Sequence, residues 1–337
     1  MMHQLNRWTP AFLAICLLLL SLLGVAVGAS VGSTGFESLL VSRHDAITWQ
    51  IIWDIRLPRS VGAYVAGALL GLAGAIAQGL FRNPLSDPYL LGSASGASLG
   101  VAIALVLFGG NPFAAELLIR LGLTGAAFTG AVLAVMLTIA LAQGVQHTLR
   151  LLLAGVIVGV VLGAIASLVT LLRPDVLQSM QGFLLGSTSF IGWSACILMS
   201  IVLMVCMGFA FFLSRVLDAL SLGESTARSL GVPLTSARIA LVGVLALATG
   251  AAVAHTGLIA FVGLAAPHLV RSMLHAKYNW TVLLSALMGG LLLLVADLLA
   301  RMLLSPQELP VGVLTAVLGG GYLLWLMSQG QKKEVVR

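Results

Sequence analysis

The chain has 337 residues, of which 60% are hydrophobic and only 8% are charged, and its net charge is +6 at pH 7. The apolar residues form about ten runs long enough to cross a bilayer, since a spanning helix needs roughly twenty of them. This composition excludes a soluble globular protein, and continuous apolar runs without alternation exclude a β-barrel. The basic residues are scattered singly, so we expect a lipid bilayer and no nucleic acid as partner.

The apolar runs predict an all-α polytopic membrane protein with about ten transmembrane helices in one domain, residues 1–337. In chain order the predicted spans are 10–30, 60–81, 90–108, 115–142, 150–171, 190–213, 235–253, 257–271, 280–300 and 310–328. Proline fits the first turn of a helix and disturbs its interior. We therefore expect Pro58 to start the second helix, Pro174 to interrupt a loop, and Pro267 to kink the eighth helix or end it early.

The loop charges predict how the chain lies in the membrane. Ten crossings put both termini on one side, and cytoplasmic termini place eleven Lys and Arg residues inside against six outside. Because cytoplasmic loops carry an excess of basic residues, we expect both termini in the cytoplasm.

Glycines recur at helical spacing in three stretches and predict close helix packing, because small residues let helix backbones approach. An alternative is that they flank a moving pathway. The three stripes are Gly67, Gly71 and Gly74; Gly92, Gly96 and Gly100; and Gly155, Gly159 and Gly163.

The charged residues do not form an ion-coupling site in the middle of a span. Ionisable groups at mid-membrane depth are costly and usually functional, but here they lie near span ends, where an acid precedes a base by four residues. Such i,i+4 pairs stabilise a helix. The two pairs are Glu116 with Arg120, and Asp297 with Arg301.

The chain also lacks a nucleotide site of its own. A P-loop needs a lysine that follows a glycine, and Lys277, Lys332 and Lys333 do not. The histidines and cysteines show no metal-ligand or nucleophile spacing. We therefore expect a chain that is not an enzyme, holds no metal or cofactor, and takes its energy from a separate ATPase.

Residues 214–233 form the segment where such an ATPase could dock. The segment is amphipathic, and Gly231 and Pro233 are helix stop signals. The alternative is an ordinary connector that lies on the membrane surface.

Several short motifs stand in one register along the chain. They are Arg56-Leu57-Pro58-Arg59, Asn83-Pro84-Leu85, Leu222-Gly223-Glu224 with Ala227-Arg228 and Leu230-Gly231, Pro267-His268, and Glu308-Leu309-Pro310-Val311-Gly312. With these motifs the chain resembles the permease subunits of ABC importers for iron-siderophores, haem and cobalamin, the FecCD-type permeases of type II importers. The resemblance implies the type II importer permease fold and a homodimer in the bacterial inner membrane. It also implies two cytoplasmic ATPases that bind ATP and Mg, and a periplasmic binding protein.

The resemblance assigns a docking role to Arg56, Arg59 and Arg301, which would receive acidic residues of the binding protein. Guanidinium suits such forked contacts with carboxylates. Arg56 and Arg59 also stand near a predicted helix N-terminus, where the dipole disfavours cations, and a cost of that kind suggests a use. The alternative is that these arginines anchor the chain to lipid headgroups.

The resemblance further assigns a coupling segment and a gate at the cytoplasmic side. Leu222, Ala227 and Leu230 would fill a cleft on the ATPase, while Glu224 and Arg228 would pair with each other or with the partner. The complete coupling set is Leu222, Gly223, Glu224, Ala227, Arg228, Leu230 and Gly231, and the gate set is Asn83, Leu85, Thr148 and Leu149.

The transported ligand follows from overall similarity alone. Haem is the leading expectation, a ferric siderophore the second and cobalamin the third. An ion-coupled carrier and a membrane enzyme remain as alternatives from other classes, although the first requires buried coupling charges and the second a cluster of catalytic residues.

Overall fold

The computed structural model describes residues 9–32, 35–36, 46–108, 117–144 and 148–334, most of which are helical. The helices are α1 (Pro10–Ser30), α2 (Ala46–Ile51), α3 (Leu57–Phe81), α4 (Ser93–Phe108), α5 (Leu117–Leu141), α6 (Thr148–Leu172), α7 (Pro174–Leu185), α8 (Trp193–Phe212), α9 (Ser214–Ser221), α10 (Glu224–Ser229), α11 (Leu234–Thr256), α12 (Val262–Met273), α13 (Tyr278–Met302) and α14 (Val311–Glu334). A π-helical turn spans Ile52–Arg56 and a 3-10 turn spans Pro88–Leu91. Two strands of two residues each, Val31–Gly32 and Gly35–Phe36, pair antiparallel.

Each of the ten predicted spans corresponds to a helix, which confirms the all-α fold class. Within the described residues, seven helical runs are long and apolar enough to cross a membrane, and α4 and the Val311–Trp325 part of α14 are shorter apolar helices. The eighth predicted span is reduced to α12, a helix of 12 residues. It does not end early at Pro267, because it continues to Met273.

Helix α7 was not predicted. Pro174 was expected to interrupt a loop, but it lies in the first turn of this helix, where a missing amide costs no hydrogen bond. The 12-residue helix buries Val176, Met180 and Phe183. This spacing of three to four residues is that of one helix face.

The second span begins earlier than predicted. Helix α2, the π-helical turn and α3 form one continuous run from Ala46 to Phe81. Arg56 and Arg59 therefore lie inside a helix, and the free amides of its N-terminus are near Ala46. The prediction that the helix dipole disfavours these arginines is wrong.

Helix α3 lies at the centre of the fold and packs against α8, α11, α12 and α13. In its most apolar stretch 89% of the residues are buried, against 22% for α6. The difference places α3 in the core and α6 at the periphery of the single chain.

The glycine stripe of α3 provides this central packing. A Cβ atom at Gly71 would overlap the carbonyl oxygen of Ser285 in α13, and one at Gly74 would overlap that of Gly263 in α12. The second stripe has the same property, since a Cβ at Gly96 would overlap the carbonyl oxygen of Gly130. Close packing is thus confirmed for these two stripes.

The third stripe differs from the other two. A Cβ at Gly155 would overlap the carbonyl oxygen of Leu90, whereas the nearest atom to one at Gly163 would be Ser95 Oγ at 3.6 Å. Only the first part of this stripe is in close backbone contact.

This contrast predicts the outcome of two alanine substitutions. Gly71→Ala should lower stability by about 1–3 kcal/mol, because the carbonyl of Ser285 is backbone and cannot turn away. Gly163→Ala adds the same methyl group to another helix with ordinary contact distances, so its effect should be within about 0.5 kcal/mol. Thermal unfolding of the purified variants in detergent measures both, and equal midpoints would contradict the packing described here.

Candidate docking and coupling sites

Two of the three predicted docking arginines, Arg59 and Arg301, meet carboxylates at one end of α3. Arg59 Nη1 donates to both carboxylate oxygens of Glu308 at 2.9 Å, and its Nε and Nη2 lie 3.1 Å from Asp297 Oδ1. Arg301 forms an ion pair with the other oxygen of Asp297 and donates to the carbonyl of Gly28 at 3.1 Å. The predicted pairing of Asp297 with Arg301 is confirmed, whereas Glu116 and the side chain of Arg120 lie outside the described residues. We call Arg59, Asp297, Arg301 and Glu308 the arginine network.

Most of the arginine network is buried. The side chains of Arg59, Arg301 and Asp297 are 9%, 1% and 0% exposed, while that of Glu308 is 27% exposed. Two guanidinium groups and two carboxylates cancel in formal charge. The arginines therefore do not form a bare cationic surface.

Hydroxyl groups from the segment between α7 and α8 complete the network. Thr188 Oγ1 donates to Asp297 Oδ1 at 2.5 Å, and Ser189 Oγ donates to Glu308 Oε2 at 3.0 Å. Sequence reasoning missed both hydroxyls, and it missed Glu308 as a partner of Arg59 although Glu308 stands in one of the motifs.

Arg56, the third predicted arginine, lies at the same end of the bundle and is also buried. Its carbonyl accepts a hydrogen bond from Ser60 Oγ at 3.0 Å, and Arg301 Nη2 lies 3.3 Å from the same hydroxyl. The Ser60 hydroxyl thus links the backbone of Arg56 to the side chain of Arg301, while Asp297 joins Arg59 to Arg301.

Glu308 is charged at neutral pH. Partial burial works to raise its pKa, but the hydrogen bonds and the charge of Arg59 outweigh this effect and hold the pKa below its usual range. Glu308 therefore acts as a carboxylate toward Arg59.

The opposite end of α3 carries a second ionic cluster. Since α3 has 25 residues, this end lies roughly 37 Å from the first. Glu224 Oε1 lies 2.6 Å from Arg238 Nη2 and 3.5 Å from Arg82 Nη2, and it accepts a hydrogen bond from Thr148 Oγ1 at 3.1 Å. We call Arg82, Thr148, Glu224 and Arg238 the Glu224 cluster.

The Glu224 cluster corrects one prediction. Glu224 pairs with Arg238 and Arg82 rather than with Arg228, so its carboxylate faces the body of the chain. Partial burial raises the pKa of Glu224, but the hydrogen bond and charge of Arg238 outweigh it and leave the pKa below its usual range. Glu224 therefore acts as a carboxylate toward the two arginines.

The predicted coupling segment forms the two short helices α9 and α10. Ala227 is fully buried against Leu220 and Leu234, which contradicts its predicted place in a cleft on the ATPase. By contrast, Leu222 and Leu230 are 66% and 64% exposed. These two leucines are the apolar side chains that the segment leaves free for a partner.

Glycines limit both ends of α10. Gly223 has φ +109° and Gly231 has φ +76°, and L-residues with side chains rarely adopt such positive values. The two glycines of the predicted coupling set therefore serve the turns that enter and leave α10.

The predicted gate residues lie beside the Glu224 cluster. Asn83 and Leu85 follow Arg82 in an exposed turn, in which the amide of Leu85 donates to Asn83 Oδ1 at 2.9 Å. Thr148 belongs to the cluster, and its neighbour Leu149 is 70% exposed. Glu224 thus connects the predicted coupling segment to both predicted gate segments.

These features define the class of protein: a multi-pass membrane protein with an ionic cluster at each end of a central helix. The chain belongs to the FecCD transport family, which matches residues 13–329. It is 38% identical over 334 residues to the hemin transport system permease protein HmuU of Yersinia pestis, covering 97% of each chain. It is 35% identical to the vitamin B12 import system permease protein BtuC of Vibrio cholerae, covering 96% of each.

A solved structure has the same fold. It is an inward-facing conformation of an ABC transporter of the metal-chelate type, with a TM-score of 0.82 and 27% sequence identity. The match covers 95% of this chain and 99% of the other. The comparisons confirm the family resemblance and the type II importer permease fold, and they identify the chain as a transport permease. They do not support an ion-coupled carrier or a membrane enzyme.

Proposed function

We propose that this chain is the permease subunit of a binding-protein-dependent ABC importer that moves haem across the bacterial inner membrane. The observation that carries this proposal is the match to a hemin permease along 97% of both chains. A ferric siderophore stays the second candidate, since the related solved structure is of the metal-chelate type. Cobalamin is the third, because the match to a vitamin B12 permease is almost as long.

The proposed assembly is a homodimer of permeases with two ATPases and one periplasmic binding protein. The termini then lie in the cytoplasm, the Glu224 cluster faces the cytoplasm, and the arginine network faces the periplasm. Exposed Leu222 and Leu230 support an ATPase contact in this orientation, because apolar side chains at a water-facing end gain by burial in a partner.

Glu224 is the proposed link between the ATPase and the gate. Movement of α10 would pull on Arg82 at the end of α3 and on Thr148 at the start of α6, because one carboxylate oxygen contacts both. The exposed side chains Leu85 and Leu149 follow these residues and would move with them. ATP-driven alternating access would then begin in the two gate segments.

Transport in reconstituted vesicles tests the proposed substrate. The permease, its ATPase and its binding protein would be incorporated together, and uptake of labelled haem, a ferric siderophore and cobalamin would be compared with and without ATP. We expect ATP-dependent uptake of haem in preference to the other two. If only cobalamin or only the siderophore is taken up with ATP, that compound and not haem is the substrate. Uptake driven by an ion gradient without ATP would overturn the importer assignment.

Arg56 allows a test of the docking proposal that leaves the arginine network intact, because Arg59 and Arg301 neutralise Asp297. Arg56→Gln should weaken binding of the periplasmic protein by roughly fivefold, since the partner's carboxylate loses a charged contact. The matched control is Arg173→Gln, which removes an exposed arginine paired with Asp175. Surface plasmon resonance at two salt concentrations measures both, and equal affinities would leave the arginines as membrane anchors.

A further inference from the structure

Glu308 differs from the other members of the arginine network. Asp297 lies within α13 and is fully buried between two arginines, whereas Glu308 lies in the loop before α14 and is 27% exposed. Arg59 divides its guanidinium between them, with Nη1 directed to Glu308. Glu308 is thus the accessible one of the two carboxylates on Arg59.

If Glu308 moved away from Arg59, the arginine network would gain a net positive charge while the contacts of Asp297 with Arg59 and Arg301 stayed in place. Arg59, Arg301 and Asp297 alone carry a formal charge of +1, and Arg59 stays paired with Asp297. A different carboxylate could take the free Nη1, so no buried charge would be left without a partner. Exchange of one carboxylate for another avoids the large cost of an unpaired buried guanidinium.

Glu308 also links two other segments of the chain, the loop between α7 and α8 and the start of α14. Its carboxylate accepts a hydrogen bond from Ser189, which lies between α7 and α8, and α14 begins at Val311, directly after Pro310. The first turn of α14 packs closely on the end of α7, since a Cβ at Gly312 would overlap the carbonyl oxygen of Leu185. Glu308 therefore ties α3 to both the 187–191 segment and the start of α14.

The 187–191 segment has space beside it. A cavity of about 50 Å³ is lined by Ser187 and Ile191 of this segment and by His255 and Gly257 at the end of α11. A segment that borders a cavity can shift without overlapping the packed core.

We propose that Glu308 occupies the place on Arg59 that an acidic residue of the binding protein takes on docking, and that its release loosens the 187–191 segment and the first turn of α14. This inference rests on the docking role proposed above. Docking would then change the permease itself. The exchange that binds the partner would also release the contacts of Glu308 that hold the 187–191 segment and the first turn of α14.

Glu308→Gln tests the exchange, because glutamine keeps the shape and can still accept from Ser189 but carries no charge. The variant, in complex with its ATPase, should bind the periplasmic binding protein about fivefold more tightly than the wild type, since the competing charge is gone. The matched control is Asp175→Asn, which removes an exposed acid paired with Arg173, and its affinity should equal that of the wild type.

Hydrogen exchange gives a second readout, both on the wild type and on Glu308→Gln. Docking of the binding protein on the wild type should speed amide exchange in residues 187–191 and 308–314, and Glu308→Gln should show faster exchange there before docking. Unchanged or weaker binding by Glu308→Gln would overturn the proposal, as would unchanged or slower exchange in both segments. If the binding protein binds neither the wild type nor Glu308→Gln, both the docking proposal and the proposed exchange of carboxylates on Arg59 fail. If it binds the wild type and Glu308→Gln equally, only the proposed exchange of carboxylates is refuted and the docking proposal stands.

Discussion

Replacement of Asp297 by alanine should destabilise the protein by about 3–5 kcal/mol, because two buried guanidinium groups would lose their shared carboxylate. Arg301 would be the more affected of the two, since Arg59 keeps Glu308. The expected result is a large fall in the midpoint of thermal unfolding in detergent, together with a loss of folded protein from the membrane fraction.

The control for this experiment uses the same pair of residue types at the surface. Asp175 accepts two hydrogen bonds from Arg173, but both side chains are exposed, so Asp175→Asn should leave the unfolding midpoint unchanged. A double variant, Asp297→Leu with Arg301→Leu, removes both charges and should be more stable than Asp297→Ala. If Asp297→Ala unfolds at the same temperature as the wild type, burial of the network is not important for the fold.

Leu222→Asp with Leu230→Asp should abolish association with the ATPase and reduce ATP-driven uptake to background. Both side chains are exposed at the end of the bundle that carries the Glu224 cluster, and loss of two apolar anchors typically removes most of the affinity of an interface. Co-purification of the ATPase and uptake in vesicles are the measurements.

Two comparison variants separate binding from coupling. Leu303→Asp with Leu304→Asp changes exposed leucines at the opposite end of the bundle and should leave the ATPase bound. Glu224→Gln should also keep the ATPase, because Leu222 and Leu230 are untouched, but should lower uptake per ATP hydrolysed since the contacts with Arg238 and Arg82 weaken. An ATPase that still binds the Leu222/Leu230 variant would place its contact elsewhere.

The helices could be predicted from the sequence because the signal for a membrane span is local. Ten apolar runs became helices, and the confirmed ion pair between Asp297 and Arg301 is also local, four residues apart on α13. Helix α7 escaped notice because its 12 residues are too few to span a membrane and it begins with a proline. Length and composition alone do not distinguish such a helix from a loop.

The partners of the site residues could not be predicted in the same way. Arg59 is 238 residues from Asp297 and 249 from Glu308, and Glu224 is 76 residues from Thr148. Motifs identified the arginines and the coupling segment, but only the packing of α3 against α13 and α11 shows which charges meet. Of the two expected partners of Glu224, Arg228 one turn away was the local one, but the Glu224 carboxylate lies 2.6 Å from the buried Arg238, which is distant in the sequence.

The burial of α3 determines which parts of the molecule can change position. Its glycines set its backbone directly against α12 and α13, so it cannot slide or rotate without overlap of main-chain atoms. The helix is therefore held in place from Leu57 to Phe81, and Arg82, just after its end, is the first residue that movement of α10 could displace. We therefore expect α3 to stay fixed while motion between the two sides of the membrane passes through elements linked to its ends, among them α6, α10 and α14.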